Sequence, residues 1–438
     1  MNLIRTKNIL IISAPDPYKS SGVVALDLVE GLSKFEGNNV KLITKHCKPQ
    51  NENVITFLNP IEHLGERILN KLVKLMIQLN FKKNKIRYTN SDYHILDFDQ
   101  TITYFTTKKF LNKASFKPDY IIILFTQNFI SFKNIKEMNQ YTKAPIFLYP
   151  MDMAQLTGAC HYAWDCKGYT NKCSNCPAIL KQKYRKQAEL NLSFKEEYIG
   201  KTDITVFACN EQIKRQVEAS SVFKNKNVIS EIYPVPDRNI FKPESNSICK
   251  KHFGIKEDQI VFFFGAVSLK DKRKGMGILQ AALFALEKEL MRINFELKKI
   301  TFLTAGSKCD ILEWPISNFN FIELGYLNDY NTLAKAYNAS DFFISPSIEE
   351  TGPTMVLQSI LCEKPVISFD LGYVSDLYTS KLRQLISIEK NASSLMNVIL
   401  NSLNMNQNLK EELKEELNKI NLKLNFNTVV NKINNSLV

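Results

Sequence analysis

Short apolar runs rich in Ile, Val and Phe alternate along the chain with segments whose apolar residues recur every three or four positions. The first pattern predicts strands and the second helices, because side chains alternate faces in a strand and return to one helix face after about 3.6 residues. In the first half the predicted strands are NILIISAP (8–15), NVKLITK (39–45), DYIIIL (119–124), APIFLYP (144–150) and DITVFAC (203–209). Between the first two, Ala25, Leu28, Val29, Leu32 and Phe35 keep helical spacing. A second series follows: QIVFFFGA (259–266), KITFLTAG (299–306), FNFIELGY (319–326), DFFISPS (341–347) and KPVISFD (364–370). Strands alternating with helices in this way build parallel sheets, so the expected class is α/β with two sheets. Three prolines in YPVPDRNIFKPE (233–244) interrupt any regular element and mark the boundary. The expected domains are 1–235 and 236–405, followed by a helical tail over 406–438. In that tail LKEELKEELNKI (409–420) combines strong helix formers with acid-base pairs three and four apart.

A chain of 438 residues, 45% hydrophobic and 23% charged, is long enough for two cores. It has no apolar run of about 18 residues and no signal-peptide pattern after its first residues, so the expected location is the cytoplasm. The net charge of +13 suits an anionic partner without choosing one. The basic residues lack the aromatic interleaving of nucleic-acid modules, so nucleic acid is not expected as a partner. One segment breaks the strand-helix rhythm. LGERILNKLVKLMIQLNFKKNKIRY (64–88) is an amphipathic helix bearing Lys71, Lys74, Lys82, Lys83, Lys85 and Arg87. It suits either a peripheral site on the inner face of the membrane or a cover over the sheet with a solvated lysine edge.

Candidate chemistry concentrates at SPSIEETGPTMVLQS (345–359). A strand ends at Ser345, and a turn with Glu350, Thr351 and Gly352 leads to Pro353, a residue favoured at the first helical position. The peptide N–H groups of a helix starting there, aided by the helix dipole, suit a phosphate or diphosphate at the carboxyl end of a parallel strand. Gly352 would let the ligand approach, Glu350 would accept bonds from sugar hydroxyls, and Gln358 lies close enough to face the same site. Individually, Glu350 also suits a helix-dipole acid, Lys274 a surface lysine and Asp152 a capping residue.

These residues resemble the signature of the retaining, nucleotide-sugar-dependent glycosyltransferases of the GT-B fold, in which two glutamates flank seven residues. Glu350 stands at the first position and Gln358 replaces the second. The resemblance implies two Rossmann-like parallel-sheet domains facing a central cleft, with the sugar held by Glu350 and the ribose by residue 358. FFFGAVSLKDKRKGMGILQAAL (262–283) is similar to the family's strand, loop and helix, which carries Lys274 over as the lysine that neutralises the diphosphate. Ala266 stands where the family often has arginine, with Ser268, Lys270, Lys272 and Arg273 in the same loop. LGYLNDYNTLAKAYNASDFFISPS (324–347) resembles the segment that frames the base and leads into the signature, which makes Gly325 and Tyr326 donor-site candidates beside Thr351, Gly352, Pro353 and Thr354. Gly22, in KSSGVVA, occupies the place of a loop glycine that approaches the donor.

MDMAQLTGACHYAWDCKGYTNKCSNCP (151–177) resembles a narrower branch that acts in capsular and colanic-acid-type polysaccharide assembly. Asp152, Thr157, Gly158, Cys160, His161, Tyr162, Cys166, Cys173, Cys176 and Pro177 fit its block, while Met151 replaces a histidine. The resemblance implies transfer of a hexose from a nucleoside diphosphate sugar to a lipid-linked saccharide with retention, with Glu350, Lys274 and Asp152 as the catalytic candidates and no cofactor required. A sugar-nucleotide-binding protein with little or no turnover is the alternative, and an epimerase or phosphorylase on the same fold is a further one. Spacings of five, six and two residues allow Cys160, Cys166, Cys173 and Cys176 to hold a structural zinc, with His161 as an alternative ligand. Packed reduced thiols or a disulfide pair are the other readings. The five remaining cysteines (Cys47, Cys209, Cys249, Cys309, Cys362) suit buried free thiols.

Overall fold

The computed structural model describes residues 6–68, 71, 89–307 and 318–437. Most of the basic segment 64–88, and Cys309, lie outside the described residues. The chain divides into two compact units, Met1–Tyr233 with Val430–Val438, and Pro234–Val429.

The first unit holds a sheet of β1 (Lys7–Ser13), β2 (Asn38–Thr44), β3 (Val54–Thr56), β4 (Tyr120–Ile123), β5 (Ile146–Leu148), β6 (Ile204–Phe207) and β7 (Asn227–Ile229). Their order is β3-β2-β1-β4-β5-β6-β7, and every pair is parallel. The second unit holds β8 (Ile260–Ser268), β9 (Ile300–Ser307), β10 (Asn320–Glu323), β11 (Phe342–Ser345), β12 (Val366–Phe369) and β13 (Ile386–Ser387). Here the order is β10-β9-β8-β11-β12-β13, again all parallel. Each predicted strand is present. The pattern missed β3, β7 and β13, edge strands of two or three residues that are too short to display a period.

Strands buried on both faces explain the unbroken apolar runs: Ile9 to Ile12 and Val261 to Phe264 are all fully buried. In each sheet the chain order reverses once, between β1 and β4 and between β8 and β11. The loops leaving two such neighbouring strands run in opposite directions and leave a crevice at their carboxyl ends.

The helical tail is shared between the two units. Its helix Gln407–Lys423 lies in the second unit, where it buries Leu413 and Leu417. There Glu416 accepts from the N–H of Leu382 at 3.2 Å. The last residues return to the first unit, where Lys7 donates to the Leu437 carbonyl at 2.8 Å and Asn38 to the Asn434 side chain at 2.9 Å. Buried leucines and a carboxylate tie the tail to the second unit, and buried Val430, Ile433 and Leu437 with these two hydrogen bonds tie its end to the first.

Much of the first core is aromatic. Phe110, fully buried in helix Thr107–Ala114, lies 4.4 Å from the Phe57 ring and 5.1 Å from that of Phe129, centroid to centroid. Phe110→Ala should therefore destabilise the first unit by about 3–5 kcal/mol, the usual cost of emptying a buried ring site. Denaturant unfolding followed by a probe in that unit measures it.

Candidate functional site

The strongest charge cluster in the second unit lies where β8 and β11 end. β8 carries on past an irregular register between Ala266 and Ser268. Asp271 then caps a tight turn over Lys272–Lys274: its carboxylate accepts the Arg273 N–H at 3.1 Å and holds the Arg273 guanidinium at 2.8 Å. The turn ends at Gly275, whose φ of +66° is left-handed and which caps the long helix Met276–Arg292. A side chain at Gly275 would place its Cβ 1.8 Å from the Pro346 carbonyl oxygen. Only glycine meets both demands.

The loop after β11 runs beside this turn, with Ile348 donating its N–H to the Arg273 carbonyl at 2.7 Å. The pairing delivers Glu350, 5% exposed, to the two cations. Lys274 donates to Glu350 Oε1, and Arg273 Nη1 lies 3.2 Å from the same oxygen. Arg273 also donates to the Glu349 carbonyl at 3.2 Å. Two cations and two carboxylates here sum to zero charge. A buried carboxylate so paired holds its partners in place, and removing one partner costs far more than the pair contributes.

Helix Thr354–Leu361 starts beside this cluster. Pro353 is the N-cap, with ψ 118°, and not the first helical residue as expected. An extended ψ takes it out of the helix, and its own side chain makes no cap bond to the N–H groups behind it. Gly352 also differs from its expected role. The Tyr373 ring fills its side-chain position, with a ring carbon 2.5 Å from where a Cβ would stand, so it is glycine to admit Tyr373 and not a ligand. Gln358 is buried, and its Oε1 accepts from the Tyr337 hydroxyl at 3.1 Å. Its carbonyl thus serves the interior. Thr351 is buried beside Glu350 in sequence, and Ala266 is buried while Ser268 is exposed.

Gly325 (φ +67°) follows β10, and its carbonyl accepts from Gly306 at 2.8 Å. Its side-chain direction is open, and Tyr326 beside it is 50% exposed. Both lie at the carboxyl edge of the same sheet, two strands from β8.

Gly22 and Asp152 belong to the first unit. A Cβ at Gly22 would lie 2.0 Å from the Asp16 carbonyl oxygen, so the chain's own turn already requires glycine there. Asp152 caps the turn Met153–Gln155, accepting from Ala154 at 2.8 Å, and its other oxygen is 2.9 Å from His161 Nδ1. His161 is buried, and its Nε2 has no hydrogen-bond partner among the described residues. Cys160, Cys166, Cys173 and Cys176 line one cavity of about 300 Å³. Among the described residues, no three His, Cys, Asp or Glu side chains stand in a metal-coordinating arrangement, and the eight described cysteines are unbridged.

Sequence reasoning passed over Asp271, Tyr337 and Tyr373, whose roles come from long-range packing. It also passed over Lys195, for which a local signal existed. Helix Gln182–Ile199 buries Ala188, Asn191, Leu192, Lys195 and Ile199 at helical spacing, so a lysine sits in its apolar stripe. Lys195 donates to the carbonyls of Ala154 and Thr157, both at 2.6 Å, and lies over the Phe132 ring. It anchors the loop that follows β5.

Burial depresses the Lys195 amine from its ordinary 10.5 to about 8. Below pH 8 the amine is charged in both folded and unfolded chains, so the full cost of burying the charge is present. Between about 8 and 10.5 the unfolded chain binds the extra proton, so raising the pH removes that cost. The shift corresponds to a cost on the order of 3 kcal/mol. The stability of Lys195→Met relative to the natural chain should be greatest below pH 8 and decline up to about 10.5; paired denaturation curves across that range check it.

Residues 258–405 match the family model described as glycosyl transferases group 1. No curated protein matches the chain. Solved structures resemble it over nearly their whole length. Sucrose-phosphate synthase of Thermosynechococcus elongatus aligns at 14% identity and TM-score 0.64, covering 98% of each chain. HepE of Anabaena in complex with UDP aligns at 13% and 0.59, covering 99% of each. WaaG, a glycosyltransferase involved in lipopolysaccharide biosynthesis, aligns at 12% and 0.57, covering 98% of this chain and 99% of its own. Together with the two parallel sheets, these likenesses establish the GT-B fold, and the segment holding Lys274, Glu350 and Gln358 is the one that carries the glycosyl transferase match.

Proposed function

We propose that this protein transfers a hexosyl group from a nucleoside diphosphate sugar to a hydroxyl of a lipid-linked saccharide, with retention of configuration. The observation that carries the reading is the cluster of Lys274, Arg273 and Glu350 at the β8/β11 reversal, beside the start of helix Thr354–Leu361. As the sugar-phosphate bond breaks, negative charge grows on the diphosphate. Lys274, Arg273 and the amide end of helix Thr354–Leu361 would stabilise that charge. Glu350, freed from Lys274 by the incoming phosphate, would accept hydrogen bonds from the sugar hydroxyls. Retention and hexose as the transferred sugar rest on the likeness of the 350–358 segment to the retaining signature. No metal ion is required by this scheme, because the two cations supply the counter-charge.

A membrane-borne acceptor draws support from the helix over 60–68. Ile61, Leu64 and Ile68 are exposed on it at spacings of three and four, and the basic residues Arg67 and Lys71 follow on the same stretch. WaaG, which resembles this chain in fold, acts in lipopolysaccharide biosynthesis. A second reading, a sugar-nucleotide-binding protein without turnover, is favoured by Gln358, whose carbonyl is held by Tyr337, and by alanine at position 266.

Lys274→Ala should lower transfer by roughly 10²-fold, the usual effect of removing one group that stabilises transition-state charge. Glu350→Gln should behave differently: it should keep or tighten uridine diphosphate binding, because the cations are no longer tied to a carboxylate, while kcat falls. Thermal shift with uridine diphosphate reads the binding, since a ligand of the native state raises its stability. Radiolabelled transfer with NMR of the product anomer reads the reaction and its stereochemistry. Uridine diphosphate is the first probe because the HepE structure holds it. Binding without transfer to any acceptor would establish the second reading.

A further inference from the structure

We propose that Cys160, Cys166, Cys173 and Cys176 form a closed, four-thiolate site for one zinc-type divalent ion that staples the 157–177 loop of the first unit. Four observations converge on it. The four cysteines line a single cavity of about 300 Å³, and the other three thiols all act electrostatically on Cys160.

The backbone is also arranged for sulfur anions. Gly168 N–H points at Cys166 Sγ at 3.4 Å, Gly158 donates to Cys173, and Ala178 and Ile179 both donate to Cys176. Peptide donors aimed at sulfur favour the thiolate, which is the form that binds metal. For Cys166 and Cys176 the donors lie two or three residues further on, so each sulfur sits inside its own turn.

Counter-charge is present as well. A divalent ion with four thiolates carries two negative charges. Lys195, fully buried, interacts with Cys160 and Cys173, and Arg185 interacts with Cys176. Lys195 also faces Asp97 and Asp152, so the two cations offset part of the surrounding negative charge.

The segment also has little regular structure of its own. From Asp152 to Pro177 the backbone forms only the short turns Met153–Gln155 and Gly168–Thr170, and Trp164 and Cys173 hold left-handed φ values. A long irregular stretch with several buried residues needs a local cross-link to remain ordered. Among the described residues no three of these side chains stand at coordinating positions, so in the proposed site the sulfurs shift inward on loading. A site with all four positions taken by sulfur leaves none for substrate, so the ion is structural.

The test uses the full-length reduced chain, stripped of metal and titrated with Co²⁺. The expected result is one equivalent bound, with the intense visible bands of tetrahedral cobalt-thiolate coordination and full displacement by Zn²⁺. Cys173→Ser and Cys176→Ser should each lose that spectrum, whereas Cys209→Ser, buried at the end of β6, should keep it. Chelation should lower the melting temperature of the zinc-loaded chain. Four thiols that stay equally reactive with and without Zn²⁺, a disulfide in the purified protein, or the absorption of an iron-sulfur cluster would each overturn the proposal. The cobalt titration of the natural chain decides even if a serine variant fails to fold.

Discussion

A single buried carboxylate organises the second unit's candidate site. Glu350 is buried with Lys274 and Arg273 both reaching its carboxylate, and they meet there because the turn after β8 lies against the loop after β11. Asp271 adds the fourth charge, fixing the guanidinium from the opposite side. The sheet order brings the two loops to neighbouring strand ends, so the electrostatics follow from topology.

The cations of this cluster are satisfied internally by carboxylates, which avoids the cost of unpaired buried charge. In the proposed reaction an entering diphosphate would compete with Glu350 for Lys274 and so release the carboxylate. Binding and the presentation of Glu350 would then be one event, with the helix start at Thr354 as a fixed positive end.

Much of this was legible in the sequence. Among the described residues apolar runs marked ten of the thirteen strands, nine of them central strands with neighbours on both sides. Lys274 and Glu350 stood out through the spacing of a known signature. Hidden from it were contacts set by packing: Asp271 on Arg273, Tyr373 against Gly352, and Tyr337 on Gln358. The glycines at 22 and 352 were read as openings for a ligand, but the Asp16 carbonyl and the Tyr373 ring occupy those spaces. A sequence shows that a side chain is missing without showing what fills the gap.

The contact between Gly275 and the Pro346 carbonyl, together with the bond from Ile348 to Arg273, has a consequence for inheritance and engineering. Neither loop carries its shape alone. Grafting residues 269–275 onto a homologous scaffold without residues 346–353 would bring in a glycine whose partner surface is foreign. The two stretches are distant in the chain yet make up one transplantable cassette, and changes fixed in one must be matched by changes in the other.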